Sequence, residues 1–219
     1  MKGLLIKDWK LLKNQRSLFL IFTVFVLFFL YTDGLSSLMT VGYATLFGSI
    51  SVISTISYDE YDNGDPFLFT LPFSRRDYVR EKYLFALLAS VIGWIFSTVL
   101  AAAREHIRYP ESDISEFFFS ALLVLAAFGV LLSVTLPLQL KFGGTKGTAA
   151  IFVAFFACAA IAYLAVKAIK IFFPGLLAQI MRFAADSPCA AAVSCLVFSA
   201  AVLLISMKIS TVIIERKEF

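Results

Sequence analysis

The sequence predicts an all-α membrane protein. It should have six transmembrane helices, an N-terminal interfacial helix, a short cytosolic helix between spans two and three, and a broken outer segment before the last span. Two observations carry this reading. First, 60% of the 219 residues are hydrophobic and only 16% are charged, with a mean hydropathy of +0.89. Soluble domains run nearer half apolar and a quarter charged. Second, the charges are segregated: stretches 18–32, 35–57, 83–103, 117–140, 147–166 and 187–207 contain no Asp, Glu, Lys or Arg. Most reach the ~20 helical residues that a hydrocarbon core of ~30 Å requires. The first is short, and Asn14 to Ser17 can lengthen it at the interface. The loops leave no room for a soluble domain, so 1–219 reads as a single transmembrane domain.

Residues 1–16, "MKGLLIKDWKLLKNQR", interleave Leu4, Leu5, Trp9 and Leu12 with Lys7, Lys10 and Lys13. That pattern suits an amphipathic helix in the inner interface, with Lys7, Lys10 and Lys13 towards lipid phosphates and Trp9 at headgroup level. No cleavable signal peptide is expected, because the basic region is long and leads into a span without a small-residue cleavage site.

Orientation follows from the basic residues. An even number of spans puts both termini on one side. Fourteen Lys and Arg fall there: Lys2, Lys7, Lys10, Lys13, Arg16, Arg75, Arg76, Arg80, Lys82, Lys141, Lys146, Lys208, Arg216 and Lys217. Only Arg104, Arg108, Lys167, Lys170 and Arg182 fall on the other. The positive-inside rule therefore predicts cytoplasmic termini. The net charge of +4 reports orientation and gives no reason to expect nucleic-acid binding.

Span one leads through a tight outer turn, "TDGLSS", into span two, and a long inner loop, 58–82, precedes span three. "REHIRYPESDISE" is a polar outer loop broken by Pro110. After span four, "LKFGGTKGT" reads as a flexible inner turn. Between spans five and six, Pro174 and Gly175 break the chain, and Leu176 to Ala185 form a short apolar helix able to dip into the outer leaflet.

Catalytic constellations are weak. In "GGTKGT" Lys146 precedes Gly147, unlike the G-x-x-x-x-G-K-[ST] of a phosphate loop. His106, the single histidine, lies among scattered carboxylates of an outer loop, which makes poor metal evidence. Cys158, Cys189 and Cys195 have no convergent partners and read as inert buried thiols. The spans hold no carboxylate or amine to relay protons. An intramembrane enzyme is disfavoured, and no metal or cofactor is expected in this chain.

The stretch "YDEYDNGDPFLFTLPFSRRDYVREKYL", residues 58–84, is the informative one. Asp65 can cap a helix and Pro66 suits its first position, while Pro72 prevents its continuation. Pro66 to Leu71 is thus a helix of under two turns carrying Phe67, Leu68, Phe69 and Leu71, which must pack on something. Ser74 and Asp77 match the capping-box pattern and start a helix running directly into span three. The hydrophobic knob either lies in the membrane interface or docks in a partner's groove. Asp59, Glu60, Asp62 and Asp65 beside it would be repelled by an anionic leaflet.

This run resembles the signature of ABC-2 type transporter permeases, in Glu60, Gly64, Leu71-Pro72, Ser74-Arg75-Arg76 and Lys82. The resemblance extends over the whole chain and is nearest to the small, separately encoded permeases that include exporters of phenol-soluble modulin peptides. Pro66 and the Phe cluster depart from the broader pattern. The resemblance implies a dimer, with a second copy or a related permease, bound to two cytosolic ATP-binding subunits that hold ATP and Mg. Glu60, Gly64, Pro66, Phe67, Leu68, Phe69, Leu71, Pro72, Ser74, Arg75 and Arg76 would then form the ATPase-coupling surface, with Pro66 to Leu71 as the coupling helix. The function expected is export of amphipathic peptides or lipid-like molecules across a bacterial plasma membrane. The alternative is a non-transporting anchor or sensor that recruits a cytosolic partner.

Overall fold

The computed structural model describes every residue except 1, 15, 33–35, 62–66, 69, 71, 111–112, 173–174 and 218–219. Its elements are α1 (Lys2–Asn14), α2 (Arg16–Tyr31), α3 (Ser37–Glu60), α4 (Arg75–Arg108), α5 (Ile114–Phe142), α6 (Gly144–Phe172), α7 (Leu176–Asp186) and α8 (Pro188–Arg216). Four of these helices, α3, α4, α5 and α8, are long and apolar enough to cross a membrane, and a fifth crossing is reached if α1 and α2 count as one bent span. The six charge-free stretches overstate what the described helices meet on their own. At ~1.5 Å per residue the 16 residues of α2 reach only about 24 Å, and the described apolar part of α6 is confined to Lys146–Ala160.

The same four helices form the packed centre. α3 packs chiefly on α4 and α5 chiefly on α8, while α2 and α6 lie against the outside of α3 and α5. Small residues set the α3–α4 seam. A Cβ on Gly48 would lie 2.5 Å from the Ala89 carbonyl oxygen, and one on Gly93 would lie 2.8 Å from that of Ala44. Ala44 and Gly48 on one helix, with Ala89 and Gly93 on the other, make reciprocal small-xxx-small faces. In lipid such faces gain packing that hydrophobicity cannot supply. Ser49 Oγ and Ser90 Oγ meet across the seam at 3.0 Å.

Pro137 sits inside α5 and has no N–H to give the Ser133 carbonyl one turn earlier. A freed carbonyl in a membrane helix needs another donor. Ser206 of α8 supplies it, its Oγ–H donating to Ser133 O at 2.5 Å. The Tyr83 hydroxyl of α4 lies 2.6 Å from Ser206 Oγ and 2.8 Å from Ser210 Oγ. One proline thus creates a buried polar knot that fixes three helices in register.

Two apolar clusters fill the bundle. The larger includes Leu12, Val52, Ile56, Leu68, Tyr78, Tyr83, Leu136, Leu140 and Ile214, at the end that α1 shares with the last turns of α8. The smaller joins Val41, Trp94, Ala101 and Ala121 towards the other end. There the Arg104 guanidinium donates to Thr32 O and Ser37 Oγ, holding the end of α2 and the start of α3 against α4.

Several expectations meet the structure at their boundaries. Ser74 does form a capping box with Asp77, and α4 continues for 34 residues, roughly 51 Å, well beyond the ~30 Å core. Its last turn also takes in His106, so that residue ends a helix rather than lying in a loop. The turn after α5 is tighter than "GGTKGT" suggested: Gly143 and Gly144 have φ of 65° and 32°, and the helix resumes at Gly144. The short helix expected after Pro174 and Gly175 is present as α7. Cys158, Cys189 and Cys195 are free but exposed on the single chain's surface, not buried, because they sit on outward faces of α6 and α8.

Candidate functional site

The residues singled out in 58–82 lie at the end where α1, the α3–α4 connection, the α5–α6 turn and the end of α8 converge. Leu68 is buried in the larger cluster, whereas Phe67, its neighbour, is 73% exposed. The Thr70 N–H and Oγ–H both donate to Phe67 O, closing a single turn between them. Pro72 is exposed and Phe73 packs half-buried against the cluster. Gly64, Pro66, Phe69 and Leu71 lie outside the described residues, so the expected extent of the Pro66–Leu71 helix does too.

Glu60, Arg75 and Arg76 fasten this segment to the rest of the bundle. Glu60 accepts from the Gly144 N–H and pairs with Lys217 Nζ at 3.2 Å. It also explains the glycine, since a Cβ on Gly143 would fall 2.5 Å from Glu60 Oε2. Arg75 Nη1 donates to the carbonyls of Ile214, Glu215 and Lys217 at 2.9–3.0 Å. A cation there satisfies the acceptors that a helix C-terminus leaves over. Arg76 pairs with Glu215 at 2.6 Å and stays mostly exposed. The two arginines of the signature therefore tie the start of α4 to the end of α8.

Beneath them lies a cluster the sequence reading missed. Lys82, fully buried, reaches Asp8 Oδ2 at 2.5 Å, Asp59 Oδ2 at 2.8 Å and Thr55 Oγ1 at 3.2 Å. The Tyr78 hydroxyl donates to Asp59 Oδ2, and the Glu81 carboxylate lies 4.0 Å from Lys82 Nζ. Lys7, expected to face lipid phosphates, turns instead to Asp59 and Asp8. Trp9, Lys10 and Lys13 remain exposed. Buried ion pairs add little net stability but are expensive to break, so such a cluster specifies register. Here it sets how α1 seats on α3 and α4. The signal was present in α1: Asp8 stands between Leu4 and Leu12 at four-residue spacing, all three on the buried face.

A bundle of apolar helices with a polar, ion-paired end and a partly exposed hydrophobic segment at that end defines a multi-pass helical membrane protein. Against known families, the model of the ABC-2 family transporter proteins matches residues 3–215, so the chain belongs to the ABC-2 transporter family. Members are membrane components of transport that associate with an ATP-binding subunit and are not themselves catalytic. Neither the curated proteins nor the solved structures give a match.

Proposed function

We propose that this chain is the permease subunit of an ATP-driven exporter, with six spans, both termini cytoplasmic, and a second copy or a related permease completing the passage. The observation that carries the reading, beside family membership, is the half-anchored segment at Phe67. Leu68 holds it to the bundle, Phe67 faces out, and the Ser74 capping box joins it to the rigid start of α4. Such a segment transmits motion when a partner's contacts differ between two states. The partner, a cytosolic ATP-binding subunit, brings the ATP and Mg.

For cargo we propose amphipathic peptides or lipid-like molecules. The stretches of the spans without Asp, Glu, Lys or Arg offer no fixed counter-charge at mid-membrane for small hydrophilic ions. In vesicles containing both subunits, amphipathic helical peptides should stimulate ATP hydrolysis. Stimulation by a soluble sugar or metal ion alone would eliminate this cargo class.

The docking surface has its own test. Phe67→Asp places a charge where a groove must exclude water, at a cost of several kcal/mol. The ATPase should be lost from pull-downs while the permease still inserts and folds. Undiminished ATPase binding and unchanged transport would rule out this surface.

A further inference from the structure

A cavity of about 540 Å³ lies between α1, α2, α3 and α4, within the ~300–1,000 Å³ of ordinary ligand sites. Its wall is almost wholly apolar, including Leu12, Phe22, Phe47, Ile92 and Phe96, with Trp9 and Lys13 on the α1 side. Lys13 also lines a second, more open groove along α1, together with Lys7, Lys10 and Asn14. One lysine is therefore shared by an apolar cavity and a basic groove. Among the described residues neither Lys10 nor Lys13 has an ion-pair partner, whereas Lys7 is committed to Asp8 and Asp59.

An apolar chamber with unpaired cations at its side fits a ligand with a hydrocarbon part and an anionic head. We propose that this is a binding site for an anionic phospholipid, one acyl chain seated in the cavity and the phosphate held by Lys10 and Lys13. A zwitterionic lipid supplies the chain but carries a choline that these lysines repel. The ion cluster matters here, because Asp8 and Lys7 fix the helix that carries Trp9, Leu12 and Lys13. The proposal stands independently of the exported cargo.

Trp9 reports on the site directly. Only two tryptophans are present, and Trp94 lies in the other cluster, towards the far end. The full chain is reconstituted in phosphatidylcholine bilayers with increasing brominated-chain phosphatidylglycerol or, in parallel, brominated-chain phosphatidylcholine. The Trp9 signal is the difference between wild type and Trp9→Phe. Half-quenching should need an anionic-lipid fraction about thirtyfold lower than the zwitterionic one, the worth of two lysine–anion contacts at a membrane surface. Lys10→Glu with Lys13→Glu should abolish that preference. Thr23→Phe, which fills the cavity and leaves the lysines intact, should raise the fraction required for half-quenching. Equal quenching by both lipids overturns the proposal. So does a preference that survives Thr23→Phe, since it reports only attraction to a basic helix. Displacement by an amphipathic peptide without any headgroup preference also overturns it and makes the cavity a cargo pocket.

Discussion

Lys82→Met tests the buried cluster most sharply. Methionine keeps much of the side chain's length and its apolar stem but removes the ammonium. The two carboxylates that approach Lys82 Nζ at 2.5 and 2.8 Å would then be left with Lys7 as their near cation. Asp8 is fully buried and Asp59 nearly so, which denies them compensation from water. Removing one partner of such a cluster costs about 3–5 kcal/mol. With ~2–4 °C of Tm per kcal/mol for a chain of this size, the expected fall is roughly 6–20 °C. Thermal unfolding of purified protein, followed by monodisperse elution after heating, measures it. Asp8→Leu combined with Lys82→Met should recover part of the loss, because the pair is then replaced by apolar groups. A Lys82→Met protein within about 2 °C of wild type would refute the idea that these charges are desolvated and mutually dependent.

Three further perturbations address other parts of the fold. Tyr83→Phe removes the hydroxyl shared by Ser206 and Ser210 and should cost about 1–2 kcal/mol, read as a Tm fall of roughly 2–8 °C. Gly143→Ala should destabilise by ~1–2 kcal/mol or more, since φ is 65° and the new Cβ displaces Glu60. The additional loss from displacing Glu60 should vanish in a Glu60→Ala background, which a double-mutant cycle detects. For sidedness, Arg108→Cys should react with an impermeant thiol reagent from outside and Thr70→Cys should not. The three native cysteines must be replaced first, because all are exposed; the reverse pattern would invert the proposed orientation.

What could be read from the sequence was local. The charge-free runs mark the helices because hydrocarbon tolerates few charges, and Ser74 with Asp77 marks a helix start because both capping groups sit three residues apart. Gly143 announces a break for the same kind of reason. The ion cluster and the proline knot were illegible because their partners are remote. Lys82 meets Asp8 across 74 positions, and Ser206 meets Ser133 across 73. Nothing in the neighbourhood of Asp8 distinguishes a buried acid from a solvated one except its phase with Leu4 and Leu12. Lys7 is a like case: a lysine on a basic helix suggests lipid until Asp59 is brought beside it. Glu60, Arg75 and Arg76 stand out as a motif in the sequence, but their attachment to Gly144, Lys217 and Glu215 needs the folded chain.

The grip of Arg75 on the last helix has a consequence for synthesis. Its three acceptors lie 139 to 142 residues downstream, so they leave the ribosome long after Arg75 does. Until that stretch has been made and α8 has formed, these three carbonyls are absent and the start of α4 lacks this tie to α8. A nascent chain thus carries the start of α4 early but fastens it to α8 late. Chains that stall before residue 214 differ from those that have passed Lys217 at the surface proposed to recruit the ATPase, which gives assembly a built-in order.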